Sequence, residues 1–388
     1  MRIAIDATTI CDAAGGVGAG IEHYTWSVIF ALLRRFPAHT FSLFVPRVFS
    51  ATRKAELAQG CRSVRFYPVD IFSLPFFTRH VLFPFVLACT RPHVLFVPTP
   101  HLPILWRGPS VITVHDMAIF DHAEWFPKKD AASISTRRLV PSSIRRASRI
   151  IAISASTAQA VRRLFPETGE RVGIIHSGVR IPPSIEPLER FRVTTECVLC
   201  LGTIEPRKNL VNAIYAFHRF LSDHPDRARG LRLILAGKWG WKTETVKAAM
   251  GAVNMAWKTL VPDGVVQATG PVFEQEKWAL LRHASVLLFP SLDEGFGLPA
   301  LEAMAMGTPV ICSNRGGLPE VVGDVGFLCS PDDVETMALL LAQVLLMPDA
   351  LNALREEGWR RASTFTWEKT AEGVMRVIED ALNKDQSA

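Results

Sequence analysis

Two carboxylates eight positions apart carry the most chemistry in this chain. Glu294 and Glu302 bracket Glu294-Gly-Phe-Gly-Leu-Pro-Ala-Leu-Glu302. An ionised carboxylate only accepts hydrogen bonds, so such a pair suits a ligand rich in hydroxyls, such as a sugar nucleotide. Gly295 and Gly297 have no Cβ and let the backbone approach that ligand closely. Pro299 suits the first turn of a helix, predicted over residues 298–306 and closed by Gly307. Glu302 is expected in or near its first turn, beside free backbone N–H groups that attract anions. Either acid alone reads better as a solvated residue at a helix start. The Gly-Phe-Gly-Leu-Pro between them weighs against that.

Cations are expected at the same place. Arg207 and Lys208 follow a predicted strand and precede a predicted helix, on the sheet edge of the Glu294 loop. There they suit a diphosphate leaving group; a surface pair near Glu205 is the alternative. The spacings contain no DxD-like pair and no HxxH, so no metal site is expected. Two fixed cations can stabilise a leaving phosphate in place of Mg²⁺. His115-Asp116 ends another predicted strand, where a satisfied structural histidine competes with a role in the crevice. Gly15-Gly-Val-Gly-Ala-Gly20 lies between a strand and a helix, which suits a diphosphate. Its glycines alternate rather than forming GxGxxG, so a flexible turn stays open as a reading.

These groups need a scaffold. Strands are predicted at residues 2–8, 41–45, 94–97, 110–114, 149–154 and 173–176. After the proline-rich 182–187 linker they restart at 197–202, 231–236, 265–269, 285–289 and 310–313, with helices between and a helical C-terminus. Alternation on both sides of a linker predicts two doubly wound α/β domains. A helix is expected around residues 137–149, kinked or divided by Pro141.

At 388 residues, 48% hydrophobic and 21% charged, the chain has the composition of a well-cored soluble protein. Its charge is uneven. Residues 1–180 hold 22 Lys+Arg against 11 Asp+Glu, and the rest 21 against 26. The basic part implies an anionic partner such as a membrane surface, a lipid phosphate or a nucleic acid. The most apolar stretch, 72–97, is interrupted by Arg79, His80, Arg91 and His93 and fails as a membrane span. No secretory signal is read, so a cytoplasmic protein with reduced thiols is expected. Cys197 and Cys200 form a CxxC inside an apolar strand, on opposite faces, which argues against redox or metal chemistry.

The Glu294–Glu302 stretch resembles the E-x7-E motif of the retaining family 4 glycosyltransferases. Leu201-Gly-Thr-Ile-Glu-Pro-Arg-Lys-Asn209, Leu235-Ala-Gly-Lys-Trp-Gly-Trp241, Ala303-Met-Ala-Met-Gly-Thr-Pro-Val310 and Gly316-Gly-Leu-Pro-Glu-Val-Val-Gly323 fit the same family. Val111-Ile-Thr-Val-His-Asp-Met117 and Glu124-Trp-Phe126 look like the acceptor region of its bacterial mannosyltransferase-like members. The resemblance covers nearly the whole chain and is strongest over residues 199–331.

It implies an α/β protein of GT-B fold, two facing Rossmann-like domains with a cleft between them. Residues 1–181, with a C-terminal helix at 367–388 packing back, would form the acceptor side; 182–366 would bind the nucleotide sugar. Carried over, Glu302 binds the ribose hydroxyls and Glu294 the donor-sugar hydroxyls. Gly295, Phe296, Gly297 and Leu298 give backbone contacts, Lys208 holds phosphate, and Gly18 and Gly20 border the diphosphate. His115 lies near donor sugar and acceptor, with Asp116 and Glu22 on the acceptor side. Thr203 stands where many members have Arg, and Arg207 is expected to supply that charge.

The implied reaction moves a sugar, mannose or a relative, from a GDP-sugar to a hydroxyl of a lipid-linked or polysaccharide acceptor in surface-glycan synthesis. It retains anomeric configuration by a front-face mechanism and needs no metal cofactor. The basic half and the apolar 72–85 segment imply peripheral attachment to the cytoplasmic face of the inner membrane. The rivals are a GT-B epimerase or phosphorylase, a non-catalytic sugar-nucleotide binder, and a nucleic-acid-binding protein. The last lacks basic–aromatic interleaving on a recognisable module.

Overall fold

The computed structural model describes residues 1–10, 20–59, 61, 63–69, 80, 83–128, 131–185, 196–347 and 351–385. Two compact units emerge. One comprises Met1–Ala123, Lys128–Gly178 and Phe365–Ala388, the other Glu124–Pro127 and Val179–Thr364. The sequence reading put residues 124–127 with the first domain. They cluster with the second unit, where the Trp241 indole N–H donates to the Trp125 carbonyl at 2.7 Å.

The first unit is built on β1 (Arg2–Asp6), β2 (Thr40–Pro46), β3 (Val64–Val69), β4 (Val94–Val97), β5 (Ser110–Val114), β6 (Arg149–Ala152) and β7 (Val172–Ile174). Their order is β3-β2-β1-β4-β5-β6-β7, and every pairing is parallel. Parallel sheets are covered on both faces and their central strands read as unbroken apolar runs. β4 and β5 are accordingly buried at every position. The Trp367–Asp385 helix belongs to this unit, packing on the Gly20–Arg35 helix and touching β4, β5 and β6. β1 ends at Asp6, short of the expected Thr8. The Asp6 carboxylate accepts from the Thr8 amide at 3.1 Å and its hydroxyl at 2.6 Å, which turns the chain.

The second unit holds β8 (Glu196–Leu201), β9 (Leu231–Ala236), β10 (Val266–Gly270), β11 (Val286–Phe289), β12 (Val310–Ser313) and β13 (Phe327–Cys329), in the order β10-β9-β8-β11-β12-β13, again all parallel. Successive strands run outward from β8 one way and from β11 the other. The chain therefore leaves β8 and β11 toward opposite faces, and a crevice opens at their carboxyl ends. That is where Arg207, Lys208 and Glu294 come from.

Three expectations change. β3 and β13 are strands the sequence reading did not include. β3 carries Pro68 and the exposed Arg65, which an edge strand tolerates. β13 is three residues long and shows no period. The helix through Pro141 is continuous over Ala131–Arg146, neither divided nor ended by the proline. Ser154, expected to finish a strand, instead caps the Ala155–Leu164 helix, its hydroxyl accepting from the Thr157 amide at 3.0 Å.

Candidate active site at the β8 and β11 edge

β8 delivers the chain to Gly202, whose φ of +136° is a conformation that favours glycine. Pro206–Lys208 form one tight turn, and Asn209 follows with φ 53°. Its side-chain amide donates to the carbonyls of Pro290 at 3.2 Å and Pro331 at 2.6 Å. The Leu292 amide donates to the Arg207 carbonyl at 2.8 Å. The loops after β8 and β11 are thus bolted together through backbone groups before any charge is considered.

On that frame Arg207 Nη1 lies 3.2 Å from Glu294 Oε2, and the Lys208 ammonium pairs with Glu294 Oε1. Arg207 also pairs with Glu205 at 3.0 Å. Glu294 is only 8% exposed. Burial pushes its carboxyl upward, but Arg207 and Lys208 outweigh that and hold it below the ordinary carboxylate range. The result is a charged, anchored carboxylate beside two cations at a strand end. Beneath it, the Gly317 amide donates to the Glu294 carbonyl at 2.7 Å.

Gly295 and Phe296 are buried and Leu298 partly so. Gly297, at φ +103°, precedes the Leu298–Ala305 helix. A Cβ there would meet Leu318 Cδ2 at 2.5 Å, so both conformation and space call for glycine. Glu302 lies just past the first turn of this helix, near it as expected, but its buried carboxylate is held by Lys277 Nζ at 2.6 Å rather than set beside the free N–H groups. Lys277 also pairs with Glu274 at 2.9 Å. Burial disfavours the Lys277 charge, yet the two glutamates raise its pKa above the ordinary value. Sequence reading missed Lys277. Glu274 and Lys277 are legible as neighbours on a helix, but no spacing links them to Glu302, 25 residues on. Thr203 is part-buried, with Gly240 passing over its methyl group.

In the first unit His115 follows β5. Its Nε2 lies 2.9 Å from the Pro98 carbonyl, which only accepts, so Nε2 carries the proton. Tyr24 packs edge-on at 4.8 Å between ring centres. Burial pushes the imidazole below its ordinary pKa, keeping it neutral near pH 7, and pushes the Tyr24 hydroxyl up to about 12. Asp116 accepts from the Ala118 amide at 3.2 Å. Gly20 opens the Gly20–Arg35 helix and is exposed. Glu22, on the same helix, lies 3.9 Å from Arg53, which stacks over Trp26. Gly18 lies outside the described residues, as do most of the apolar 72–85 segment and the last two residues of the linker.

Cys197 and Cys200 are both buried, and burial pushes both thiols up, so neither is a poised nucleophile. Among the described residues no group of three or more His, Cys, Asp or Glu is placed to hold a metal. No described helix is long and apolar enough to cross a membrane.

Residues 18–181 match the model of Glycosyltransferase Family 4, and residues 185–361 that of Glycosyl transferases group 1. O-antigen chain mannosyltransferase B of Escherichia coli is 30% identical over 270 residues, 67% of either chain. The chain belongs to glycosyltransferase family 4. MMP alpha-(1->4)-mannosyltransferase of Mycolicibacterium hassiacum is 30% identical over 60% of this glycosyltransferase and 54% of its own length. Serotype-specific mannosyltransferase WbdA of Escherichia coli is 25% identical over 86% of this chain but only 40% of its own, longer chain. Among solved structures, sucrose-phosphate synthase from Thermosynechococcus elongatus superposes with a TM-score of 0.72 at 18% identity, over 99% of this chain and 100% of the other. HepE of Anabaena, solved with UDP and glucose, gives 0.66 at 18% identity over 98% and 100%. The fold is GT-B, with two parallel-sheet α/β units.

Proposed function

We propose that this glycosyltransferase moves a mannosyl residue from GDP-mannose to a hydroxyl of a lipid-linked or polysaccharide acceptor, with retention, in the assembly of a surface glycan such as O-antigen or exopolysaccharide. The observation that carries the reading is the Glu294 carboxylate held between Arg207 and Lys208 at the β8–β11 edge. A hydroxyl-binding acid and two phosphate-neutralising cations are what a nucleotide-diphosphate sugar requires at its reacting end. The names of the relatives, O-antigen chain mannosyltransferase B, MMP alpha-(1->4)-mannosyltransferase and WbdA, support mannose and O-antigen.

In this reading Lys208 and Arg207 stabilise the diphosphate as the glycosidic C–O bond breaks, without a metal ion. Glu294 orients the sugar hydroxyls and Glu302 the ribose. Gly295, Phe296, Gly297 and Leu298 present backbone to the donor, with Thr203 alongside and Gly18 and Gly20 bordering the diphosphate. His115, neutral with its proton fixed on Nε2, serves the sugar and acceptor, with Asp116 and Glu22 on the acceptor side. The leaving phosphate takes the acceptor proton on the face it departs from. The basic first 180 residues attract the protein to an anionic leaflet on the cytoplasmic side of the inner membrane.

The test is incubation of the purified chain with GDP-mannose and a lipid-linked oligosaccharide, followed by NMR of the product anomer. An α-mannoside with release of GDP is expected. An inverted product, or GDP-mannose left intact while another nucleotide sugar is consumed, overturns the reading of mechanism or of donor respectively.

A further inference from the structure

The ion pair behind the second glutamate has hydrogen-bonding capacity left over. Lys277 Nζ takes two of its three N–H bonds to carboxylates, Glu302 Oε1 at 2.6 Å and Glu274 Oε1 at 2.9 Å. Among the described residues its third N–H has no partner, and neither does Glu302 Oε2. The Lys277 side chain is 15% exposed and that of Glu302 5%, so one edge of the pair still faces outward.

The pair is rigidly held. Lys277 sits in the first turn of the Glu274–His283 helix, where Glu276 reaches back to the Phe273 amide at 2.7 Å and fixes the helix start. Its ammonium lies 4.8 Å from the Trp278 ring centre, and the Trp278 indole N–H donates to Glu274 at 2.8 Å. Glu302 is fixed by the buried helix that carries it.

We propose that Lys277 is a specificity-determining residue that, with Glu302, reads a vicinal diol: one hydroxyl donates to Glu302 Oε2 while its neighbour accepts the third N–H of Lys277. A lone carboxylate would treat the two hydroxyls alike, as donors. Adding the ammonium makes one of them an acceptor, so the site demands both oxygens in one orientation. This rests on the proposed reading that Glu302 meets the donor ribose. It goes beyond that reading in assigning Lys277 a ligand contact and the two ribose oxygens different partners.

The experiment is calorimetric titration of the full chain with GDP, UDP and ADP and with the 2′-deoxy and 3′-deoxy form of whichever binds. A hydrogen bond to a charged group contributes about 1.5–3 kcal/mol, or roughly 10- to 100-fold in affinity. The wild-type chain is expected to disfavour both deoxy forms by that order. Lys277→Met should erase the preference against one deoxy form and keep it against the other. Glu302→Gln should weaken chiefly the preference that Lys277→Met leaves in place. Lys277→Arg, which keeps the charge but changes the donor geometry, should shift the same single preference, and carries the test if Lys277→Met does not fold. Equal losses for the ribonucleotide and both deoxy forms in the Lys277 variants, or no loss, would overturn the proposal while leaving the Glu302 reading intact. A wild-type chain indifferent to both deoxy forms would overturn the Glu302 reading itself.

Discussion

Lys208 and Glu294 close an ion pair across 86 residues of sequence, joining the turn after β8 to the loop after β11. Both side chains are nearly buried, at 11% and 10% exposure. Arg207 takes the other carboxylate oxygen. The two cations that the proposed reading assigns to the diphosphate are therefore oriented by Glu294 before any ligand arrives.

Removing either partner has two separable consequences. Glu294→Ala and Lys208→Ala should each lower turnover by about 10²–10³-fold, the scale seen when one charge-stabilising group is lost. Circular dichroism should still report a folded chain. Each single variant leaves a buried charge unpaired, so the double variant should be less destabilised than the sum of the singles. A thermal-melt double-mutant cycle with additive losses would show that the pair is not coupled.

Gly297→Ala tests the loop without touching a charge. The new Cβ meets Leu318 and forces alanine to φ +103°. Strain of this kind costs about 1–3 kcal/mol. The expected outcome is a lower urea midpoint and weakened nucleotide binding. A variant with the parental midpoint would mean that the loop relaxes freely.

The pH dependence has a definite sign at Glu294. Its folded carboxyl lies below the unfolded value of about 4.3. The ion-pair stabilisation is whole above that value and lost as pH falls through the depressed folded one. Urea midpoints measured from pH 7 to pH 3 should decline at the acid end, and Glu294→Gln should flatten that limb.

His115 titrates in a different window. Burial lowers its folded pKa beneath the unfolded value of about 6.5. Its contribution to stability is full above 6.5 and falls as pH drops toward the folded pKa, because the unfolded chain takes up the proton first. His115→Gln should remove that component. In assays, His115→Ala should reduce kcat more than nucleotide affinity, measured by turnover and calorimetry side by side. Equal losses would place His115 in the nucleotide site.

Much of this was legible in the sequence because it is local. The Glu294–Glu302 spacing, the glycines between and the adjacency of Arg207 and Lys208 are fixed by neighbouring residues. The alternation of strands and helices on both sides of the linker announced two doubly wound domains. What sequence alone did not supply is long-range. Nothing in the spacing says that Glu302 meets Lys277, or that Asn209 staples the loops through the Pro290 and Pro331 carbonyls. The partner of Glu302 was missed because Lys277 comes from a different helix. β3 and β13 escaped because edge strands need neither an apolar run nor length.

The measurement that bears most directly on the proposed donor site is calorimetric binding of GDP, UDP and ADP to the purified chain, each with Mg²⁺ and with chelator. A preference for GDP that the chelator leaves unchanged is expected, since Lys208 and Arg207 supply the positive charge. Binding that requires Mg²⁺, or no binding of any of the three, would contradict a metal-independent nucleotide-sugar site at the β8–β11 edge.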